Sequence, residues 1–284
     1  MRLALNGATI MHSPLADDLE FAAETGFTAL EVWAGKLDAY LRERSLEELG
    51  GRMRALGVQP WCINSIEDIT PRDAAGRCET IDQLRRTAAV ARAIGAPSIV
   101  VVPGPAPDGF TRSAAIADAV EVLRMMSDVA EDIGLAFEFL GKPGCSVPTL
   151  DMAIEIVTAA DRPNIGMVID TFHFHAGGSQ LADLARVPID KLFVVHLNGC
   201  EDRPKAELTD AHRLFPGEGV IPIVEILSAL RARGFDGTMS IEIFRPEYWE
   251  RDAREVARDA KMKAEAVLTA AGYTFMDSAG PRSD

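Results

Sequence analysis

Basic residues are scarce relative to acidic ones in this 284-residue sequence. It contains 29 lysines and arginines against 43 aspartates and glutamates, so its formal net charge is −14. A field of that sign repels phosphate backbones and anionic membrane surfaces. The sequence therefore argues against nucleic acid or a membrane as a partner and favours a small-molecule substrate.

The sequence also lacks closely spaced cysteines and long apolar runs. Its four cysteines, Cys62, Cys78, Cys145 and Cys200, form no C-x-x-C pair, which favours reduced thiols in a cytosolic protein. The first ten residues resemble a strand and a turn rather than a signal peptide, and no apolar stretch reaches the roughly 18 residues of a membrane helix. We therefore expect a cytoplasmic protein.

The dominant pattern in the sequence is an alternation of short β-branched or aromatic runs with longer amphipathic segments. The runs predict strands and the amphipathic segments predict helices. The predicted strands are residues 3–6, 29–33, 59–64, 98–102, 135–139, 166–170, 192–197 and 239–244. The predicted helices are residues 15–25, 46–56, 80–94, 113–133, 150–159, 223–233 and 253–271, with a weaker sixth helix around residues 180–186.

Repeated strand-then-helix units imply parallel strands, and eight of them point to a closed (β/α)₈ TIM barrel of the α/β class. We expect a single domain over residues 1–275, followed by a flexible C-terminal tail at residues 276–284. The longest strand-to-helix loop, residues 198–220, follows the seventh strand. Its length and its polar and turn residues predict a lid or a loop that contacts the substrate.

Four predicted strands each have one possible metal ligand near the C-terminal end, where TIM barrels place their reacting groups. These residues are Glu138, Asp170, His196 and Glu242. A lone strand glutamate more often forms an ion pair on the barrel exterior, but the combination favours a metal site. Burying an unpaired charge costs on the order of several kcal/mol, which one shared divalent cation would offset. The oxygen-rich ligand set suits Mn²⁺, Mg²⁺, Co²⁺ or Zn²⁺ without choosing among them.

Five segments extend this pattern into a resemblance to a known family. They are FEFLG around Glu138, DTFHFHAGG from Asp170, HLNGCEDRP from His196, LTDAHRLFPGEG from Leu208 and SIEIFRPEYW ending at Trp249. With the eight-strand plan they resemble the sugar phosphate isomerase/epimerase superfamily of xylose isomerase-like TIM barrels over nearly the whole chain. FRPEYW and DTFHFHAG narrow the resemblance to its inosose isomerase-like branch.

The resemblance implies roles for individual residues. The four candidates above would bind the metal, and Glu138 and Glu242 would also act as acid and base. His173 matches a histidine that contacts substrate oxygens in that family, and Arg213 matches the arginine of an R-x-x-P-G-x-G loop. Trp33 lies at the end of a predicted strand, where it is a candidate for stacking on a sugar-like ring.

The activity expected from the resemblance is isomerisation or epimerisation of a polyhydroxy ketone, a sugar or an inosose. Proton transfer would pass through a metal-stabilised enediolate and would need no redox cofactor. For the inosose branch, the reaction interconverts 2-keto-myo-inositol and 1-keto-D-chiro-inositol, which belongs to inositol catabolism.

Three alternatives remain open from the sequence. A dehydratase of the same superfamily, for 3-dehydroshikimate or an inosose, would use the same metal and base. An abasic-site endonuclease is disfavoured because the D-x-H pair of Asp210 and His212 has no histidines at residues 62–64 or 102–104 to complete a multi-zinc cluster. The third alternative is a non-catalytic sugar-binding barrel. A homo-oligomer is compatible with the sequence, which does not define the oligomeric state.

Overall fold

Eight parallel strands close into a barrel in the computed structural model, which describes residues 1–274. The barrel strands are β1 (Arg2–Asn6), β2 (Ala29–Trp33), β3 (Gln59–Ile66), β4 (Ser98–Val101), β5 (Gly134–Glu138), β6 (Ile165–Asp170), β7 (Leu192–Leu197) and β10 (Thr238–Ile241). Each strand pairs with the next barrel strand in the chain, and β10 closes the ring against β1. The predicted (β/α)₈ TIM barrel is confirmed. The tail predicted for residues 276–284 lies outside the described residues.

Helices surround the barrel between successive strands. They are α1 (Leu15–Thr25), α2 (Ala34–Leu41), α3 (Leu46–Leu56), α4 (Ala74–Ile94), α5 (Arg112–Val129), α6 (Leu150–Ala160), α7 (Thr171–Ala176), α8 (Ile223–Ala232), α9 (Pro246–Trp249) and α10 (Ala253–Ala270). Within residues 1–274, none of these helices is both long and apolar enough to cross a bilayer.

The segment between β6 and β7 departs from the predicted sixth helix. A short helix, α7, begins directly after β6, and a 3₁₀ segment at Leu181–Arg186 replaces the expected α-helix. The Asp170 side chain accepts a hydrogen bond from the His173 backbone N–H at 2.8 Å and thereby caps α7. A carboxylate at that position is a strong helix start, but a helix of six residues is too short to show amphipathic periodicity in the sequence.

The predicted loop at residues 198–220 contains a small antiparallel ribbon rather than irregular chain alone. Strand β8 (Gly199–Cys200) pairs with strand β9 (Arg213–Leu214). Short 3₁₀ turns at Lys205–Glu207 and Asp210–His212 lie between the two strands. The ribbon places Arg213 at the barrel mouth.

The barrel interior consists of layers of inward-facing side chains. A small apolar cluster fills its lower part, formed by Cys62, Val100, Val102, Ala136, Val168 and Val194. Because side chains alternate along a strand, the residue two positions further along points to the same side. Glu138, Asp170 and His196 follow Ala136, Val168 and Val194 at that spacing. Polar side chains therefore form a layer directly above an apolar floor.

Candidate metal centre and substrate cavity

The structure brings the four predicted ligands together at the C-terminal end of the barrel. Glu138 ends β5, Asp170 ends β6, His196 lies near the end of β7 and Glu242 follows β10 directly. Asp170 is paired with His196 in the sheet register, and so is Ser240, two residues before Glu242. All four are buried, and one ligand atom from each lies within 4.8 Å of the others.

One ring nitrogen of His196 faces all three carboxylates. Its Nδ1 atom lies 2.9 Å from Glu138 Oε1, 3.2 Å from Glu242 Oε2 and 3.8 Å from Asp170 Oδ2. Three carboxylate oxygens and one imidazole nitrogen are a donor set that divalent Mn, Zn, Co and Mg ions accept. The residues present thus fit a divalent cation.

The electrostatics of the cluster favour a cation as well. Burial raises the pKa of Glu138 to about 7; His196 opposes that shift, and the nearby Glu242 and Asp170 carboxylates reinforce it. Burial lowers the pKa of His196, but the surrounding carboxylates outweigh burial and hold that pKa well above its usual range. Carboxylates held this close repel one another, and a bound divalent cation would relieve the repulsion.

Polar side chains on other strands hold Glu242 in place. The side-chain amides of Asn6 and Asn64 donate to Glu242 Oε1 at 3.1 and 2.7 Å, and Arg213 Nη1 donates to Oε2 at 3.0 Å. Burial raises the pKa of Glu242, but the charges of His196 and Arg213 and the His196 hydrogen bond outweigh it and lower that pKa. These donors therefore hold the Glu242 side chain in place in its ionised form.

Arg213 is fully buried and connects the long loop to the cluster. Its Nη1 donates to Asp170 Oδ2 at 2.6 Å as well as to Glu242, while Nη2 donates to Asp210 Oδ1 at 2.9 Å and to His173 Nε2 at 3.1 Å. A guanidinium only donates, so His173 Nε2 accepts and Nδ1 carries the proton. Burial lowers the pKa of His173 to about 4, with Arg213 adding to the shift and Asp170 opposing it, which agrees with a neutral ring.

A cavity of about 420 Å³ opens beside this cluster. Glu138, His173, Arg213 and Glu242 line it together with Trp33, whose indole ring meets Phe244 edge to face with ring centres 5.3 Å apart. The structure thus places every predicted substrate-contacting residue on the wall of one cavity. Whether they touch substrate stays a prediction.

The outer wall of the cavity contains an ion pair that the sequence did not predict. Lys142, in the loop after β5, lies 2.7 Å from Asp210 in the loop after β7. Asp210 also accepts from Arg213, so the pair joins both loops to the buried cluster.

The D-x-H pair has structural partners in the long loop. Asp210 contacts Lys142 and Arg213, and His212 Nδ1 accepts a hydrogen bond from the Thr209 backbone N–H at 3.0 Å. Both side chains therefore organise the loop, and this arrangement weakens the resemblance to the multi-zinc endonucleases.

Sequence reasoning missed four buried polar residues of the site. Asn6, Glu31, Asn64 and Asn198 contact the predicted ligands directly. A signal for Glu31 existed, since it lies within the apolar run ALEVW just as Glu138 lies within LAFEF. The asparagines had no such signal, because an uncharged amide at a strand end is also common in turns.

A family model for the xylose isomerase-like TIM barrel matches residues 19–263. The chain belongs to this family. Among xylose isomerase-like TIM barrels, an inosose isomerase from Halalkalibacterium halodurans is 37% identical over 265 residues, which cover 92% of this chain and 94% of the relative. A 3-dehydroshikimate dehydratase from Pseudomonas aeruginosa is 26% identical over 81% of this chain and 36% of its own length.

A solved structure of closely similar fold supports the metal centre. The crystal structure of IolI protein with a binding zinc atom superposes with a TM-score of 0.92 at 34% identity, covering 95% of this chain and 98% of that protein. The metal belongs to that protein, and it shows that a chain of closely similar fold binds a divalent cation.

Proposed function

We propose that the protein is a metal-dependent isomerase of the inosose isomerase type, acting on 2-keto-myo-inositol or a closely related polyhydroxy ketone. The observation that supports this most strongly is the convergence of three carboxylates and an imidazole, all buried, at the ends of four barrel strands. The likeness to inosose isomerases over nearly the whole chain supplies the substrate class. A role in inositol catabolism follows from that class.

In this proposal, Glu138, Asp170, His196 and Glu242 hold one divalent ion. When bound, the ion supplies Lewis-acid stabilisation of the negative charge that develops on substrate oxygens. The native ion is Mn, Zn, Co or Mg, and zinc is favoured because the similar IolI structure contains it.

Proton transfer is assigned to the two glutamates. Glu138 and Glu242 line the same cavity, and their carboxylate oxygens lie 2.9 and 3.2 Å from His196 Nδ1. One carboxylate removes the proton from the hydroxyl-bearing carbon beside the ketone, and the other returns a proton to the former carbonyl carbon. The hydroxyl proton moves to the former carbonyl oxygen, so that ketone and alcohol exchange places. His173 and Arg213 hold substrate oxygens, and Trp33 packs against the apolar face of the ring.

The charges that line the cavity favour a neutral substrate over an anionic one. The acidic residues of the wall are Glu67, Asp68, Glu138, Asp210 and Glu242. Lys142 and Arg213, the lysine and arginine among the described lining residues, are both paired with carboxylates. A carboxylate-bearing compound such as 3-dehydroshikimate therefore meets no unpaired lysine or arginine side chain among the described lining residues. This favours the isomerase over the 3-dehydroshikimate dehydratase.

Proton NMR in D₂O tests the proposal directly. Zinc-loaded protein is expected to convert 2-keto-myo-inositol to its 1-keto-D-chiro isomer, and metal-stripped protein is not. Glu242→Gln is expected to reduce turnover about 10²–10⁴-fold, as for the loss of a general acid or base. Glu250→Gln, on the exposed surface, is the matched control and keeps full turnover.

Three results would contradict the proposal. Absence of metal-dependent conversion across inososes and ketohexoses would refute isomerase activity. Substrate binding without conversion or exchange of the proton beside the ketone would indicate a sugar-binding barrel. An enone product that absorbs ultraviolet light would indicate a dehydratase.

The cytoplasmic location and the homo-oligomeric state stay predictions, and sedimentation measures the oligomeric state.

A further inference from the structure

Glu31 is a fully buried carboxylate in the centre of the site to which the proposed reaction assigns no role. It lies in β2, whereas His196 lies in β7, and these strands are separated by β1 and β10 in the barrel ring. The two side chains therefore meet by crossing the barrel interior rather than through neighbouring strands. Such a contact requires both side chains to point inward at the same height.

The contact engages the ring nitrogen of His196 that faces away from the other carboxylates. Both oxygens of Glu31 lie close to Nε2, at 3.1 and 3.2 Å, whereas Nδ1 faces Glu138, Asp170 and Glu242. The imidazole is thus held between one carboxylate on its Nε2 side and three on its Nδ1 side.

A second neighbour orients the Glu31 carboxylate. Asn64 Nδ2 donates to Glu31 Oε1 at 3.0 Å and also to Glu242 Oε1 at 2.7 Å. Glu31 thus acts as an acceptor toward Asn64, and a carboxylate has only acceptors to offer Nε2 as well. The carboxylates around Nδ1 are acceptors too, so a cation decides where the ring proton lies. With Nδ1 bound to the metal, the proton of the neutral His196 ring lies on Nε2, where Glu31 accepts it.

We propose that Glu31 is a positioning residue that fixes the tautomer and the ring orientation of His196, so that Nδ1 is ready to bind the divalent cation. The inference rests on the proposed metal site. It adds a residue that touches neither the metal nor the substrate but sets the affinity of the site. Outer carboxylates of this kind orient histidine ligands and increase their basicity.

Zinc affinity tests this role without an activity assay. Wild-type protein, Glu31→Gln and Glu31→Asp are titrated with zinc in competition with a chromophoric chelator at neutral pH. Glu31→Gln is expected to weaken zinc binding about 10- to 100-fold. Glu31→Asp keeps the charge with a shorter reach and is expected to fall between that variant and the wild type.

Asp18→Asn is the matched control for the loss of a buried carboxylate. Asp18 is fully buried and pairs with Lys36 at 2.8 Å, and its side-chain partners, Lys36 and Ser13, are not among the four candidate ligands. Asp18→Asn is expected to reduce stability but to leave zinc affinity within about twofold of the wild type. An equal loss of affinity in Asp18→Asn and Glu31→Gln would overturn the inference, because it would indicate a general effect of destabilisation.

Nitrogen-15 NMR of histidine-labelled wild-type protein provides a test that depends on no variant. The imidazole whose Nδ1 resonance moves most on zinc loading is expected to have a proton on Nε2. An unprotonated Nε2 in the zinc-loaded protein would overturn the inference, as would wild-type zinc affinity in Glu31→Gln. If the wild type itself binds no zinc, the proposed metal site fails together with this inference. If the wild type binds zinc and Glu31→Gln binds it equally well, only this inference fails. The two failures are therefore distinguishable.

Discussion

At the scale of single residues, Arg213 has the most demanding environment in the described chain. It is a buried guanidinium that contacts Asp170, Asp210 and Glu242, and these carboxylates raise its pKa above an already high value despite burial. Removing one partner from a buried ionic network leaves uncompensated charge. Its contribution to stability should therefore greatly exceed that of a surface arginine.

We predict that Arg213→Met lowers the free energy of unfolding of the metal-free protein by about 3–5 kcal/mol. Urea denaturation measures the loss. The matched control is Arg92→Met, which removes an exposed arginine that donates to both oxygens of Asp132. That control is expected to cost far less than Arg213→Met, because exposed ion pairs contribute little. Equal losses in the two variants would contradict a special role for Arg213.

Individual site residues could be predicted to different extents. The ligand candidates were recognisable because a charged residue in an apolar strand conflicts with burial unless it has a partner. Arg213 and His173 came only from the family resemblance. Lys142 appeared in a Gly-Pro-rich turn, and its pairing with Asp210 depends on two loops that are 68 positions apart, which no local pattern encodes.

At the scale of secondary structure, the long loop between β7 and α8 depends on close backbone packing. Gly219 has a φ of 76°, and a Cβ atom there would lie 1.7 Å from the carbonyl oxygen of Cys200 in β8. Position 219 is thus restricted to glycine for two reasons, the left-handed backbone conformation and the close approach of the neighbouring strand. The β8–β9 ribbon that presents Arg213 depends on this approach.

Gly219→Ala is expected to destabilise the protein more than Gly57→Ala. Gly57 also has a positive φ, of 67°, but nothing lies within 4 Å of its Cβ position. The control should cost about 1–2 kcal/mol for the left-handed conformation alone. Gly219→Ala should cost a further ~1–3 kcal/mol for the forced contact. Thermal denaturation measures the difference, and limited proteolysis at residues 201–207 should accelerate only in Gly219→Ala.

The elements themselves were largely predictable. Strands 29–33 and 192–197 and helices 15–25 and 46–56 were placed with the bounds that the structure shows. Helix α4 begins at Ala74, six residues before its predicted start, because the Asp73 side chain caps it by accepting from the Gly76 N–H at 2.8 Å. Helix α2 was missed because it follows β2 directly, so no turn residues between them mark its start.

At the scale of the whole molecule, metal binding should couple to folding. The cluster places several carboxylates close together, so the metal-free barrel retains repulsion that a cation removes. A ligand that binds only the folded state stabilises it by mass action, by about 2.7 kcal/mol at a free concentration of 100 times Kd. The proposed site therefore has a signature in stability that is independent of catalysis.

We expect zinc or manganese to raise the Tm of chelator-treated protein by roughly 5 °C or more. His196→Gln, which removes the only nitrogen ligand of the proposed set, should show no such rise. Calcium, which prefers more oxygen ligands, serves as the ion control and should stabilise less. A rise in Tm of equal size in His196→Gln would place the bound metal elsewhere.

The barrel as a whole was predictable because its signal repeats eight times, so an error in one unit, such as the sixth helix, leaves the architecture intact. The lining residues at the strand ends were predictable, and the family resemblance added His173 and Arg213. The outer wall of the cavity depends on how separate loops meet, and those contacts are determined by the folded arrangement rather than by any one segment.

The position of the Arg213 guanidinium restricts how this barrel mouth can change. Exposed loop segments, such as residues 202–207 of the loop that contains it, are where insertions are accommodated most easily. The end of the loop that contains Arg213 is nevertheless held in place, because Arg213 forms ion pairs with Asp170 and Glu242 at the ends of barrel strands. A redesign for a bulkier ketone could lengthen the exposed stretch 202–207, but it would have to keep a positive charge where this side chain now lies.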